Sequence, residues 1–221
     1  MDSPLEIEKR SAALEASKYV RDGSIIGLGT GSTTHYFILE LANLVSKGYK
    51  VKCMASSLET EKKAMGLGIE VIDSSEKLLD AYFDGADEVE AGGSMIKGGG
   101  GALTREKILA RNSREFNVMV DSSKLKLKLG KFGVPVEVLT FGLGFTKKNI
   151  EKLGSTCRIR ENFITDSGNL ILDCNFGLIN DPVSLEATIK FMPGVVEVGI
   201  FNGMAKRIFQ GKGKECLTIE L

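Results

Sequence analysis

The chain has a single histidine, His35, no two cysteines spaced Cys-x-x-Cys and no excess of either charge. Each shortage removes a class of function. Cys53, Cys157, Cys174 and Cys216 are scattered, a pattern that fits neither a zinc site nor a disulfide framework, so the expectation is four reduced core thiols. Twenty-nine Lys and Arg balance twenty-nine Asp and Glu, leaving no overall field to draw in nucleic acid or an anionic membrane. No apolar stretch near the start resembles a signal peptide, and Gly, Thr and Ser interrupt the longest weakly charged segment, residues 23–39, short of a spanning helix. A cytoplasmic location follows as the expectation. Internal repeats and low-complexity linkers are absent too. What is present is 221 residues, 43% of them apolar, enough for one large domain or a domain with a smaller partner.

Apolar runs of strand length alternate with segments of helical period. Helix-like residues 5–20 precede SIIGLG, a buried strand opening into glycines, and THYFILELANLV reads as a helix. The rhythm repeats through VKCMASS, LETEKKAMGLG, IEVID, AYFDGAD, LTREKILARNS and FNVMVD. Strands separated by helices of this length pair in parallel, which predicts a doubly wound, Rossmann-like α/β sheet. After about residue 130 the order becomes strand, helix, strand, strand, helix, strand, the signature of a ferredoxin-like α+β module. Pro182 falls in the first turn of its second helix, where a missing N–H is harmless. The predicted division is a catalytic domain of residues 1–129 and 203–221, with the smaller module, 130–202, inserted before a tail that returns to the first sheet.

Two glycine-rich turns carry chemistry. GLGTGSTTH joins a strand to a helix, where free amides and the helix dipole favour a phosphate. It is not a dinucleotide fingerprint: position 32 is Ser instead of Gly, and the next strand ends MASS with no acidic residue. Nor is it a P-loop, since no Gly-Lys-Ser/Thr follows. Thr30, Gly31, Ser32 and Thr33 therefore offer hydroxyls and amides to a phosphate monoester or a polyol, unless the turn is only a Ser- or Thr-capped helix start. IKGGGGALTREK is less ordinary, because consecutive glycines each forfeit roughly 0.5–1 kcal/mol of conformational entropy relative to Ala in a regular element. Bare backbone at Gly98, Gly99, Gly100 and Gly101 lets a ligand lie on the peptide groups, flanked by Lys97 and by Glu106 in the next helix's first turn. An acid there is also what the macrodipole alone favours.

The third feature is YFDGADEVE, in which an apolar strand runs into Asp84, Asp87 and Glu88. Asx turns or a hard-cation site would explain paired aspartates, although Lys97 in the same pocket would oppose a cation. In a doubly wound sheet ligands lie outside the carboxyl ends of the strands, so the three turns are expected to face one crevice. A phosphate cradle, two aspartates, a lysine, exposed amides and a glutamate, with no metal-ligand cluster, suit proton transfer between adjacent carbons of a sugar phosphate. Glu106 would serve as base, Asp84 and Asp87 would handle hydroxyl protons, and Lys97 with the glycine amides would meet the oxyanion.

Taken together, GLGTGST, SSLET, DGADEVE, IKGGGGALTREK, VDSSK and GKFGVPVEV resemble the A-type ribose-5-phosphate isomerases in order and approximate spacing. The resemblance implies cofactor-free interconversion of ribose 5-phosphate and ribulose 5-phosphate through an enediolate, in the non-oxidative pentose phosphate pathway. It implies Glu106 as the base between C1 and C2, Asp84 and Asp87 as ring-opening and oxygen-proton groups, and Lys97 beside the reacting oxygens. For the phosphate it points to Ser32, Thr33, Lys124 and Lys9, with Thr30 close by, and it implies a homodimer or homotetramer. Two rivals stand beside it. A CoA-transferase-like enzyme would use its glutamate as a nucleophile. A non-catalytic sugar-phosphate sensor would need a DNA-binding segment, for which no spare stretch exists.

Overall fold

The computed structural model describes residues 3–221. Helix α1 (Pro4–Ser17) begins where the Ser3 hydroxyl caps the Glu6 N–H and Pro4 fills the first turn, and it buries a face of small residues from Ser11 to Ser17. There follow β1 (Ile25–Leu28), α2 (Ser32–Ser46), β2 (Lys52–Ala55), α3 (Leu58–Gly66), β3 (Glu70–Val71) and β4 (Ala81–Asp84). Two short strands, β5 (Glu88–Glu90) and β6 (Met95–Ile96), precede α4 (Leu103–Arg111), β7 (Phe116–Val120) and β8 (Leu125–Lys126). The chain continues as β9 (Val134–Val138), α5 (Leu143–Glu151), β10 (Thr156–Ile159), β11 (Leu170–Asn175), α6 (Pro182–Lys190) and β12 (Val195–Val198). It ends with β13 (Ile200–Phe201), β14 (Ala205–Lys212) and β15 (Glu215–Glu220).

These elements form two compact units, Met1–Ala86 with Arg105–Leu125 and Met204–Leu221, and Asp87–Thr104 with Lys126–Gly203. In the first, seven strands make one sheet in the order β15-β14-β7-β4-β1-β2-β3. All neighbours are parallel except the β14–β15 hairpin at the edge. Strand order runs outward in both directions from β1 and β4, so the switch point of a doubly wound sheet lies between them. This is the expected Rossmann-like architecture, and the tail rejoins it as β14 and β15. Ile26, Leu28, Phe37, Leu41, Phe83 and Phe209 fill its core, with the Phe37 and Phe83 rings stacked at 4.4 Å.

In the second unit β9, α5, β10, β11, α6 and β12 give the expected β-α-β-β-α-β order, and their strands form an antiparallel sheet, β10-β11-β9-β12. Val134, Val136 and Val138 of β9 are buried against Leu172, Cys174 and Val198. This unit also takes residues 87–104, which the strand and helix rhythm assigns to the first domain. The reason is long-range pairing: β6 joins β13 with Ile96 opposite Ile200 and Met95 opposite Phe201, and β5 joins β6. No local periodicity announces a partner so distant in sequence.

The cysteines differ from expectation as well. Cys157 and Cys174 are joined by a disulfide, because the β10–β11 register sets them directly opposite each other. Cys53 and Cys216 are free. Burial pushes the Cys53 thiol up to about 12 and the Cys216 thiol to about 11, so both stay protonated at neutral pH.

Candidate active site

In the first unit the candidate residues gather at the carboxyl ends of β1, β4 and β7, which lie side by side. The turn after β1 reaches α2 through Gly31, whose φ of 136° is open to glycine and strained for other residues. Among the described residues no side chain caps this helix. The hydroxyl-capped alternative therefore falls, and Ser32 and Thr33 stand inside the first turn of a fifteen-residue helix, whose amino end favours an anion. Ser32 is exposed and Thr33 buried. Thr30 braces the turn from within. Its hydroxyl bonds the Ser56 and Ser57 hydroxyls at 2.8 Å each, and its N–H donates to Asp84 Oδ1 at 3.1 Å.

Asp84, the last residue of β4, is wholly buried. Its Oδ1 accepts from the Thr30 N–H, the Thr34 hydroxyl at 3.1 Å and the Gly85 N–H at 2.7 Å, and its Oδ2 accepts from the Tyr82 hydroxyl at 2.5 Å. Four donors replace the water that a buried carboxylate would otherwise lack. Burial raises the Tyr82 pKa well above the usual phenol value, and the negative charges of Asp84 and Glu106 raise it further. Two carboxylates thus act on one protonated tyrosine. Glu106 stands in the first turn of α4 and is only 2% exposed.

The turn after β7 holds Lys124. Its N–H donates to the Asp121 carbonyl at 3.1 Å, while the Asp121 carboxylate takes the Ser123 N–H at 2.9 Å. Helix α1 reaches this turn through Glu8, whose Oε2 accepts the Ser122 N–H at 2.9 Å. Burial pushes the Glu8 carboxyl up, but its hydrogen bonds with Ser122 and Gly213 outweigh that and leave it below the usual value. Lys9, the next residue, pairs with Glu6 at 2.6 Å.

In the second unit Asp87 and the glycine turn form a constellation of their own. Gly99 N–H donates to Asp87 Oδ2 at 2.7 Å. A side chain at Gly99 would put its Cβ 2.4 Å from Asp87 Oδ1, and one at Gly98, where φ is 101°, would meet Leu103 at 2.9 Å. Gly99 and Gly100 are exposed. Lys97 is 2% exposed, its ammonium 5.6 Å from the centre of the Phe201 ring. The glycine turn follows β6, in a small sheet with β13 and β5. The expectation that all three turns follow strands of one central sheet therefore holds for two of them.

The sequence pattern of the family described as ribose 5-phosphate isomerase A (phosphoriboisomerase A) matches residues 52–215. The chain belongs to the ribose 5-phosphate isomerase A family. The ribose-5-phosphate isomerase A of Picrophilus torridus is 50% identical over 218 residues, covering 98% of this chain and 99% of the relative. The ribose 5-phosphate isomerase A structure from Methanocaldococcus jannaschii is 41% identical with a TM-score of 0.92, covering 97% of this chain and 98% of that one. A D-ribose-5-phosphate isomerase solved in complex with phospho-erythronic acid is 34% identical with a TM-score of 0.95, each chain being covered completely. The matched segment of the isomerase family contains Asp84, Asp87, Lys97, Glu106 and Lys124. The turn after β1 lies before it, within the stretch aligned with the Picrophilus relative.

Four residues of the isomerase constellation escape a reading by residue type. Tyr82 reads as strand filler, and only its place two residues before Asp84 on the same strand face hints at a shared partner. Ser56, Ser57 and Thr60 read as a helix start, which they are: Ser57 caps α3. Their second role, holding the Thr30 hydroxyl, comes from β2 lying beside β1.

Proposed function

We propose that Glu106 is the general base of an aldose-ketose isomerase acting on ribose 5-phosphate and ribulose 5-phosphate, moving the proton between C1 and C2 through an enediolate. Membership of the family makes the chain an isomerase of the pentose phosphate pathway. Asp84 and Asp87 open the sugar ring and shuttle the oxygen protons. Lys97 and the amides of Gly98, Gly99 and Gly100 take the charge that grows on the reacting oxygens. Gly31, Ser32, Thr33, Lys124 and Lys9 hold the phosphate, with Thr30 bracing Asp84 beside them.

The observation that carries this reading is the buried trio of Asp84, Tyr82 and Glu106 at the end of a central parallel strand. Four donors hold the Asp84 carboxylate in one place for exchange of hydroxyl protons, while a second, buried carboxylate is shielded from water's competition for the carbon acid. The relative solved with phospho-erythronic acid, an aldonic acid bearing a phosphate, supports a ligand that joins a phosphate to a short polyol chain. Solvent deuterium incorporation at the transferred carbon during turnover, with a chelator present, tests the reaction. Turnover without exchange would favour a hydride shift, and chelator-sensitive turnover would favour a metal.

Replacing Lys124 by Ala is expected to raise KM for ribose 5-phosphate by about 10-fold or more while kcat changes little, the signature of contact made equally in ground and transition states. Steady-state kinetics against phosphate-free ribose checks it, because the variant and the parent should then behave alike. A pure kcat loss would remove Lys124 from the phosphate site.

Self-association into a homodimer or homotetramer belongs to the same proposal. On the second unit Phe141, Phe145 and Phe191 are 91%, 79% and 87% exposed. They flank the join where the Leu139 N–H donates to the Gly194 carbonyl and the Thr146 hydroxyl to that of Pro193. Large aromatics left in water together mark an interaction surface. Light scattering of Phe145→Glu is expected to show a smaller assembly than the parent. A cytoplasmic setting is proposed too: the free Cys53 and Cys216 fit it, and a thiol titration of protein drawn directly from cells would report the state of the Cys157–Cys174 pair.

A further inference from the structure

A residue outside the predicted constellation grips the glycine turn of the second unit. Arg160 follows β10 and makes a two-point pair with Asp173 of β11, Nε to Oδ2 at 3.0 Å and Nη2 to Oδ1 at 2.5 Å. Its remaining nitrogen, Nη1, donates to the carbonyl oxygens of both Gly98 and Gly99 at 3.1 Å. The guanidinium lies 5.5 Å from the centre of the Phe163 ring, and the same ring occupies the space of any side chain at Gly101, whose Cβ would come within 2.0 Å of it. The turn closes on itself through the Gly101 N–H and the Gly98 carbonyl at 2.9 Å.

Each carbonyl held by Arg160 shares a peptide unit with the N–H of the next residue. Gly98 C=O is paired in this way with the Gly99 N–H, the donor to Asp87. Gly99 C=O is paired with the N–H of Gly100, an exposed residue. A cation on the oxygen draws electron density through the amide and makes the N–H a stronger donor, and linked hydrogen bonds reinforce one another by about 10–30% each. The charge of Arg160 therefore reaches the Asp87 carboxylate through one peptide unit and the Gly100 N–H through the next.

We infer that Arg160, oriented by Asp173, is a positioning residue for the isomerisation. It fixes and polarises two consecutive peptide units, of which the first holds Asp87 and the second presents the Gly100 N–H to oxygen charge. This rests on the roles proposed for Asp87 and the glycine amides. Only a fork-shaped cation meets the geometry: two nitrogens match a carboxylate while the third reaches the carbonyls, which a lysine ammonium cannot do at once.

The test uses the full chain and reads kcat, KM and Tm for Arg160→Met, Arg160→Lys, Arg160→Ala and Asp173→Asn. The expected result for Arg160→Met is a kcat lower by about 10–100-fold with KM within about threefold, since the lost effect bears on the transition state. Arg160→Lys should recover only part of that loss, and added guanidinium ion at non-denaturing concentration should partly restore Arg160→Ala but not Arg160→Lys. In an Asp87→Asn background, Arg160→Met should cost much less than in the parent, because both act through one peptide unit. A purely structural brace would lower Tm, leave kcat of the folded enzyme unchanged and show neither rescue nor coupling; that result overturns the inference. Should Arg160→Met fail to fold, Asp173→Asn and Arg160→Lys decide by the same criteria. Wild-type turnover by Asp87→Asn alone overturns this inference and the underlying role of Asp87 together, whereas an inactive Asp87→Asn beside a fully active Arg160→Met overturns only this one.

Discussion

Glu106→Gln is expected to lower kcat by about 10²–10⁴-fold, the range supplied by a positioned general base, while ribose 5-phosphate still binds. Glutamine keeps the shape of glutamate and most of its hydrogen-bonding capacity but cannot take a proton from carbon. Glu106 is only 2% exposed, so the near-isosteric change is the one that disturbs its surroundings least, and Tm checks that the variant is folded. A large loss of kcat in a folded, substrate-binding variant separates a catalytic base from its alternatives. A first-turn acid serving only the helix dipole would change stability by about 0.3–1 kcal/mol and leave turnover intact. A nucleophilic glutamate of the transferase kind would lose acyl transfer but have no reason to govern deuterium exchange on a sugar. The assay pairs stopped-time conversion with exchange at the transferred carbon, and a kcat within about tenfold of the parent would remove Glu106 from the base role, being less than general-base catalysis contributes.

Residue types made the outline of this site legible, and chain topology supplied what they left out. Period-two and period-3.6 runs bounded by glycine were enough to read the parallel sheet and the β-α-β-β-α-β module, because those signals are local. GLGTGST, DGADE and the four glycines were legible for a similar reason, each being a poor choice for plain structure. The pairing of β6 with β13 was not, nor was the Cys157–Cys174 bridge, since both depend on register between strands that the sequence lists without connecting. Arg160 shows the same limit most sharply. It lies in a hairpin with no motif of its own, and its bearing on Gly98 and Gly99 exists only once β10 and β11 have paired. Gly29 is an intermediate case: the need for a glycine after β1 is readable, but the neighbour that imposes it is not.

That neighbour is Asp84, and Gly29→Ala is the second change expected to have a large effect. A Cβ built on Gly29 would sit 1.8 Å from Asp84 Oδ1 and 2.4 Å from Asp84 Cβ, far inside contact distance. The glycine cannot retreat, because its N–H is bonded to the Phe83 carbonyl at 2.9 Å and its own carbonyl to the Thr60 hydroxyl at 2.9 Å. Relief must come from swinging the Asp84 carboxylate away from the Thr30, Thr34 and Gly85 donors or from parting β1 and β4. Leaving a buried carboxylate stripped of partners costs about 3–5 kcal/mol, and displacing a reacting group by an ångström costs about 10²-fold in rate. Gly29→Ala should therefore lower both Tm and kcat/KM. Gly66→Ala in α3, where an added Cβ meets nothing within 4 Å and φ is not positive, is the control, expected to be neutral or stabilising by up to about 1 kcal/mol. Adding Asp84→Gly to Gly29→Ala removes the colliding side chain, so the double variant should be nearly as stable as Asp84→Gly alone, a non-additivity expected only of residues in contact. If the two losses of stability simply summed, Gly29 and Asp84 would not be competing for one space, and the close approach of β1 backbone to that carboxylate would not be what demands a glycine.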